Sequence, residues 1–193
     1  MRLTRISGGG ETPTESPLDL LLGCHARIRY FVQLGRTLAN AEGECGDEVS
    51  NAAAAIYRYF TVALPLHEAD ENLTLFPRLR AALPSGNLVR QAAETMVEQH
   101  RVIDELVGEL QPLCSTLDRN PGRLPTLAQN LHHVMQAMEQ IFAAHLHLEE
   151  TVLFPALPQM FAAEEMAAML AEMQERRRTP ENPADRNSIH LVR

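Results

Sequence analysis

The chain carries one short pattern twice, and the two copies limit what it can fold into. HEADENLTLFP runs from His67 to Pro77, and HLHLEETVLFP runs from His145 to Pro155. Overlaid, they share His at the first position, Glu at the fifth and Leu-Phe-Pro at the end, at a constant offset of 78 residues. Such self-similarity signals two copies of one structural unit. Within each copy, His and Glu are four residues apart. On an α-helix, residues i and i+4 share a face, about 6 Å apart along the axis. His67 and Glu71 therefore point the same way, as do His145 and Glu149. An imidazole nitrogen beside a carboxylate makes half of a first-row metal site.

A second pair extends the pattern. His25 lies in GCHARIRYFV and His100 in EQHRVIDELV, 75 residues apart, each with Ile three residues later. The order along the chain is His, His-x-x-x-Glu, His, His-x-x-x-Glu. Each repeat offers three donors. The candidate metal ligands are His25, His67, Glu71, His100, His145 and Glu149.

Helical periodicity supplies the frame. Helix A is expected from Ser16-Pro17, with Ser as N-cap and Pro at the first helical position. It carries Leu21, Leu22, His25, Ile28, Phe31, Val32 and Leu38 and ends around Glu42-Gly43. After the turn GECGD, with Asp47 as cap, helix B holds Ile56, Phe60, Ala63, Leu64, His67, Glu71 and Leu75. Pro65 lies inside it and is expected to bend it. Pro77 is expected to end its regular part. Helix C runs from near Asn87 to about Leu117, loosened by Pro112. Helix D begins near Thr126 and breaks at Pro155 or Pro158. A fifth helix, from about Ala162 to Arg177, bears an apolar stripe of Met166, Met169, Leu170 and Met173.

The spacing tests this frame. His25 and His67 lie roughly 17 and 20 residues from the A–B turn, and His100 and His145 lie about 18 and 20 from the C–D turn. Glu71 and His100 lie about 13 and 14 residues from the B–C turn. Antiparallel helices rise equally per residue, so all six groups reach one level of an up-down-up-down bundle. The expected fold is all-α: an antiparallel four-helix bundle over residues 16–158 with an additional C-terminal helix over 159–178. Residues 1–15 read as a flexible leader and 179–193 as an extended tail.

Composition narrows the function classes. The 193 residues suit one compact domain, and 45% hydrophobic content suffices for a core. The formal net charge of −8 argues against nucleic acid as a partner. No apolar run approaches the roughly 18–20 residues needed to span a membrane, and the N-terminus lacks the apolar stretch of a secretory signal. Cys24, Cys45 and Cys114 do not form a disulfide framework, so a reducing, cytoplasmic setting is expected. The ferritin-like Glu-x-x-His string is absent, as are a phosphate-binding Gly loop and G-x-S-x-G. HEADE resembles a zinc-protease H-E-x-x-H only until its fifth residue, Glu71.

At these residues the chain resembles the hemerythrin-like HHE cation-binding family, over roughly 17–158. The two H-x-x-x-E-x-x-x-L-F-P segments are the most specific parts of the match. The resemblance implies a four-helix bundle around a non-haem di-iron centre, oxo- or hydroxo-bridged. His25, His67, His100 and His145 would bind through ring nitrogen, with Glu71 and Glu149 bridging. Zinc is the alternative occupant. Oxygen-carrying hemerythrins have a further His one turn after the helix C ligand, where this chain has Asp104. Four His and two Glu look more like the symmetric site of the iron-sulfur-cluster repair proteins, which usually carry an extra N-terminal cysteine-bearing domain that is not expected in this chain. The implied function is binding or sensing O₂, NO or peroxide, or handling iron under oxidative or nitrosative stress. An enzyme reducing NO or peroxide, and a helical regulatory module with a structural metal, are the alternatives.

Other residues carry smaller expectations. Some bacterial relatives place a Tyr near iron, for which Tyr30, Tyr57 and Tyr59 are the candidates here. Cys24 reads as a small core residue or as an oxidant-sensing thiol. His132, His133, His147 and His190 read as surface residues. Glu68, Asp70 and Glu150 read as solvated groups or as supports for the ligands. A homodimer is compatible with the amphipathic fifth helix.

Overall fold

A computed structural model describes residues 16–41 and 46–178, and every regular element among them is helical. Helix A is α1 (Pro17–Ala39). Helix B, residues 46–82, is built from α2 (Gly46–Arg58), α3 (Leu64–Ala69) and α4 (Phe76–Ala82), joined by wide π-helical segments at Tyr59–Ala63 and Asp70–Leu75. Helix C is α5 (Leu88–Arg119). Helix D, residues 124–160, joins α6 (Leu124–Leu148) to α7 (Phe154–Met160) through a third π segment, Glu149–Leu153. The fifth helix is α8 (Ala163–Arg178). Helix A packs on B and D, and helix C packs on B and D, which closes an antiparallel four-helix bundle.

The helix starts follow capping chemistry. Ser16 Oγ accepts from the Asp19 N–H at 3.1 Å, the Ser16 N–H donates back to Asp19 Oδ2 at 3.0 Å, and Pro17 opens the first turn. Asn87 Oδ1 accepts from the Val89 N–H at 2.8 Å and starts α5. Other boundaries differ from expectation. Helix A stops at Ala39, with Asn40 as its C-cap. Asp47 lies in the first turn of α2 rather than before it. The rest of the expected A–B turn, and the leader, tail, Cys45 and His190, lie outside the described residues.

The prolines do not end the helices as the sequence suggests. Each π segment stops two residues before a proline: Ala63 before Pro65, Leu75 before Pro77, Leu153 before Pro155. A proline inside an α-helix crowds the carbonyl four residues back and removes one N–H. Widening the preceding turn relieves both. The residue before each proline then donates five residues back: Leu64 to Tyr59, Phe76 to Glu71 and Phe154 to Glu149. The helix continues past Pro77 to Ala82 and past Pro155 and Pro158 to Met160. Pro112 is carried inside α5 without a π segment; the carbonyl it faces belongs to Gly108, the residue type with most backbone latitude. The extra residue in the first π segment turns Ala63 to solvent, and Leu22 is also exposed, so two expected core positions are not core.

The core divides into two apolar clusters. One holds Ile28, Phe60, Leu64, Ile103, Phe142 and Leu146. The other holds Leu21, Leu75, Met96, Leu153 and Phe154. On every bundle helix a residue of each cluster flanks the His and Glu positions, so the polar layer is sandwiched between two dry ones.

The fifth helix closes the second cluster. Met169 and Met173 are fully buried in it. The C-terminal turn of α8 is tied to helix B by ions. Arg176 and Arg177 both bind the carboxylate of Asp70, which is completely buried. Arg176 also donates to Thr74 Oγ1 at 2.9 Å, and Glu172 takes Arg78 at 2.6 Å. Removing one partner of such a pair strands the other. Asp70→Ala is expected to lower unfolding stability by about 3 kcal/mol and to expose α8 to protease, read by urea denaturation and limited proteolysis.

Candidate metal centre

The six sequence-predicted donors meet at one level of the bundle, all buried to 4% exposure or less. They form two sets that share both glutamates: His25, His67, Glu71 and Glu149, and His100, His145, Glu71 and Glu149. In each set the donor atoms lie within 4.8 Å of one another. Each carboxylate faces both sets. Glu71 Oε1 is 3.1 Å from His67 Nε2, and its Oε2 is 3.0 Å from His100 Nε2. Glu149 Oε1 is 3.1 Å from His145 Nε2, and its Oε2 is 2.8 Å from His25 Nε2.

These close approaches are not hydrogen bonds. Nε2 of His25, His67 and His100, and all four oxygens of Glu71 and Glu149, have no hydrogen-bond partner among the described residues. Buried polar atoms are rarely left so, and seven converging on one layer point to an ion that completes them. Two donors about 2.1 Å from one ion at right angles stand about 3 Å apart. The observed 2.8–3.1 Å separations fit that geometry. Imidazole and carboxylate suit a borderline divalent or trivalent first-row ion, and the donor sets contain no thiolate.

Three of the four imidazoles are fixed from behind. His25 Nδ1 donates to Glu150 Oε1 at 2.8 Å, and Arg29 holds Glu150 at 2.8 and 2.9 Å. His100 Nδ1 donates to Asn72 Oδ1 at 3.2 Å, and His145 Nδ1 to Gln99 Oε1 at 3.0 Å. Placing the proton on Nδ1 leaves the Nε2 lone pair aimed inward, as metal binding requires. These acceptors escaped the sequence reading except for Glu150. A signal existed, because each is the chain neighbour of a donor, and Asn72 and Glu150 occupy the same place in the two repeats. The symmetry breaks at His67, whose Nδ1 has no partner among the described residues. The repeat position matching Gln99 is Cys24.

The electrostatics follow from burial. Burial holds His67 well below its ordinary pKa, and burial together with His145 brings His100 down to about 3. Both imidazoles are therefore neutral and available as ligands. Burial raises Glu71 well above the carboxylate range, and the charge of Glu149 adds to this. Burial alone would raise Glu149 too, but His145 and His25 beside it outweigh that and hold it low. Two carboxylates at close quarters in a dry layer cannot both stay ionised without a cation.

Of the tyrosines, Tyr30 and Tyr57 are exposed. Tyr59 is buried, stacks on Phe31 at 4.1 Å, and its hydroxyl lies 3.5 Å from the carbonyl oxygen of Cys24. Cys24 Sγ accepts from Arg27 at 3.1 Å and lies 3.8 Å from Arg177. His133 and His147 are exposed, and His132 is half-buried. No helix among the described residues is long and apolar enough to cross a membrane.

Comparison with known proteins agrees with the site. The chain is 26% identical over 171 residues to an uncharacterised protein of Haemophilus influenzae, covering 86% of this chain and 92% of that one. Residues 16–157 match the hemerythrin HHE cation-binding domain, and a second match spans 91–187. With the bundle and its His and Glu layer, that match over most of the sequence establishes metal-cation binding as the general property, and the chain belongs to the hemerythrin HHE cation-binding domain family.

Proposed function

We propose that the protein holds two iron ions and uses them to bind or sense O₂, NO or peroxide. One ion would take His25 and His67, the other His100 and His145, with Glu71 and Glu149 bridging both. The observation that carries this reading is that each glutamate turns one bare oxygen to each histidine pair. Bound there, an iron pair would supply reversible one-electron chemistry and a place for a diatomic ligand to bind.

The residues around the pair have separate tasks. Glu150, Asn72 and Gln99 fix the tautomer and angle of three imidazoles. The two apolar clusters exclude water from above and below. Glu150→Ala is expected to weaken metal binding about tenfold or more, read by competition with a chromophoric chelator.

The test loads the protein anaerobically with Fe(II) and adds NO, O₂ or hydrogen peroxide separately. The reading predicts a new visible absorption band, stoichiometric with the iron pair, for at least one of the three. Repeated consumption of NO or peroxide with an added reductant would make it an enzyme rather than a binding protein. No spectral response to any of the three would overturn the gas-binding reading and leave the metal structural.

A further inference from the structure

Glu68 follows His67 and is only 9% exposed. Its Oε1 has no hydrogen-bond partner among the described residues. Packing does not require an acid there, because the matching position of the second repeat is Leu146, fully at home in the core. Asp70, the other acid peculiar to the first repeat, is matched by Leu148, and Arg176 and Arg177 neutralise it. Glu68 has no such cation among the described residues. A buried carboxylate oxygen facing nothing calls for a ligand that passes through or rests there.

Its neighbours set a direction. Glu71 meets His100 across helices B and C at 3.0 Å, and in this antiparallel pair Glu68, one turn before Glu71, comes level with Asp104, one turn after His100. Asp104 is exposed on α5, one turn beyond His100. On the inner side, Glu68 and Glu71 stand three residues apart on one face of helix B. Asp104, Glu68 and Glu71 thus form a series of carboxylates from solvent to the metal layer, on a chain of net charge −8. An acid-lined route concentrates cations and speeds their entry.

We propose that Glu68 is a transit ligand through which divalent cations reach the centre, with Asp104 at the mouth. A hydrated ion captured at Asp104 exchanges a water for a Glu68 oxygen, then moves to the imidazole of His67 and the carboxylate of Glu71. The inference rests on the two-metal reading of the site.

Stopped-flow uptake of Co(II), followed by its visible absorption, tests it in the full chain. Glu68→Gln and Glu68→Leu are expected to slow uptake about tenfold and Asp104→Asn severalfold, with the final number of ions per chain unchanged. Leucine is the second repeat's own residue at this position, and unchanged circular dichroism confirms folding. Uptake as fast as wild type in both Glu68 variants would overturn the proposal, as would a lower final stoichiometry, which would make Glu68 a resident ligand. Wild-type protein that takes up no Co(II) would instead sink the two-metal reading itself.

Discussion

Stripping metal from the protein is expected to lower its thermal midpoint by on the order of 10 °C. A ligand that binds only the folded chain stabilises it by about 4 kcal/mol when free ligand stands at a thousand times its dissociation constant. For a domain of this size, each kcal/mol moves the midpoint by about 2–4 °C. The basis is the layer of unpartnered donors, which the unfolded chain cannot assemble. Scanning calorimetry with chelator, and then with Fe(II) restored under anaerobic conditions, measures the difference. Equal midpoints would mean that the layer does not hold the ion in the folded state.

The second large effect runs the other way. In metal-free protein, Glu71→Leu is expected to raise unfolding stability by about 2 kcal/mol. Glu71 is completely buried, and neither of its oxygens has a hydrogen-bond partner among the described residues. Leucine has similar volume and removes that desolvation cost. The same change deletes the oxygens facing His67 and His100, so metal binding falls sharply. Urea unfolding of the two metal-free proteins gives the stability arm, and a chelator titration gives the binding arm. A metal-free variant less stable than metal-free wild type would show that Glu71 serves packing or hydrogen bonding and not an ion. The layer thus trades stability of the empty chain for binding.

Much of this was legible in the sequence because it is periodic. The offsets of 78 and 75 residues place His25, His67, Glu71, His100, His145 and Glu149 at one level, and the structure brings those six side chains together. The pattern could not show how helices B and D pass their prolines. Pro77 and Pro155 look like stops to a reader of α-helical rules, yet wide turns beginning at Asp70 and at Glu149 carry the chain through. Those turns include the glutamates themselves, so the prolines help set how each carboxylate is presented. Contacts between distant segments were also hidden. The Met stripe of α8 predicted an apolar face, but nothing local to Asp70 announces that Arg176 and Arg177, more than a hundred residues later, will neutralise it. Ala63 and Leu22 failed as core positions because a strict 3.6-residue period ignores the widened turn and the edges of the buried stripe.

The central claim is that two ions share the two glutamates. Metal per chain, measured by elemental analysis of protein purified anaerobically from iron-supplemented cells, tests it most directly. The account predicts about two irons per chain in wild type and a collapse toward none in Glu149→Ala, because that carboxylate faces both histidine pairs. A folded wild-type bundle with no transition metal, or a Glu149→Ala variant that keeps both ions, would contradict it.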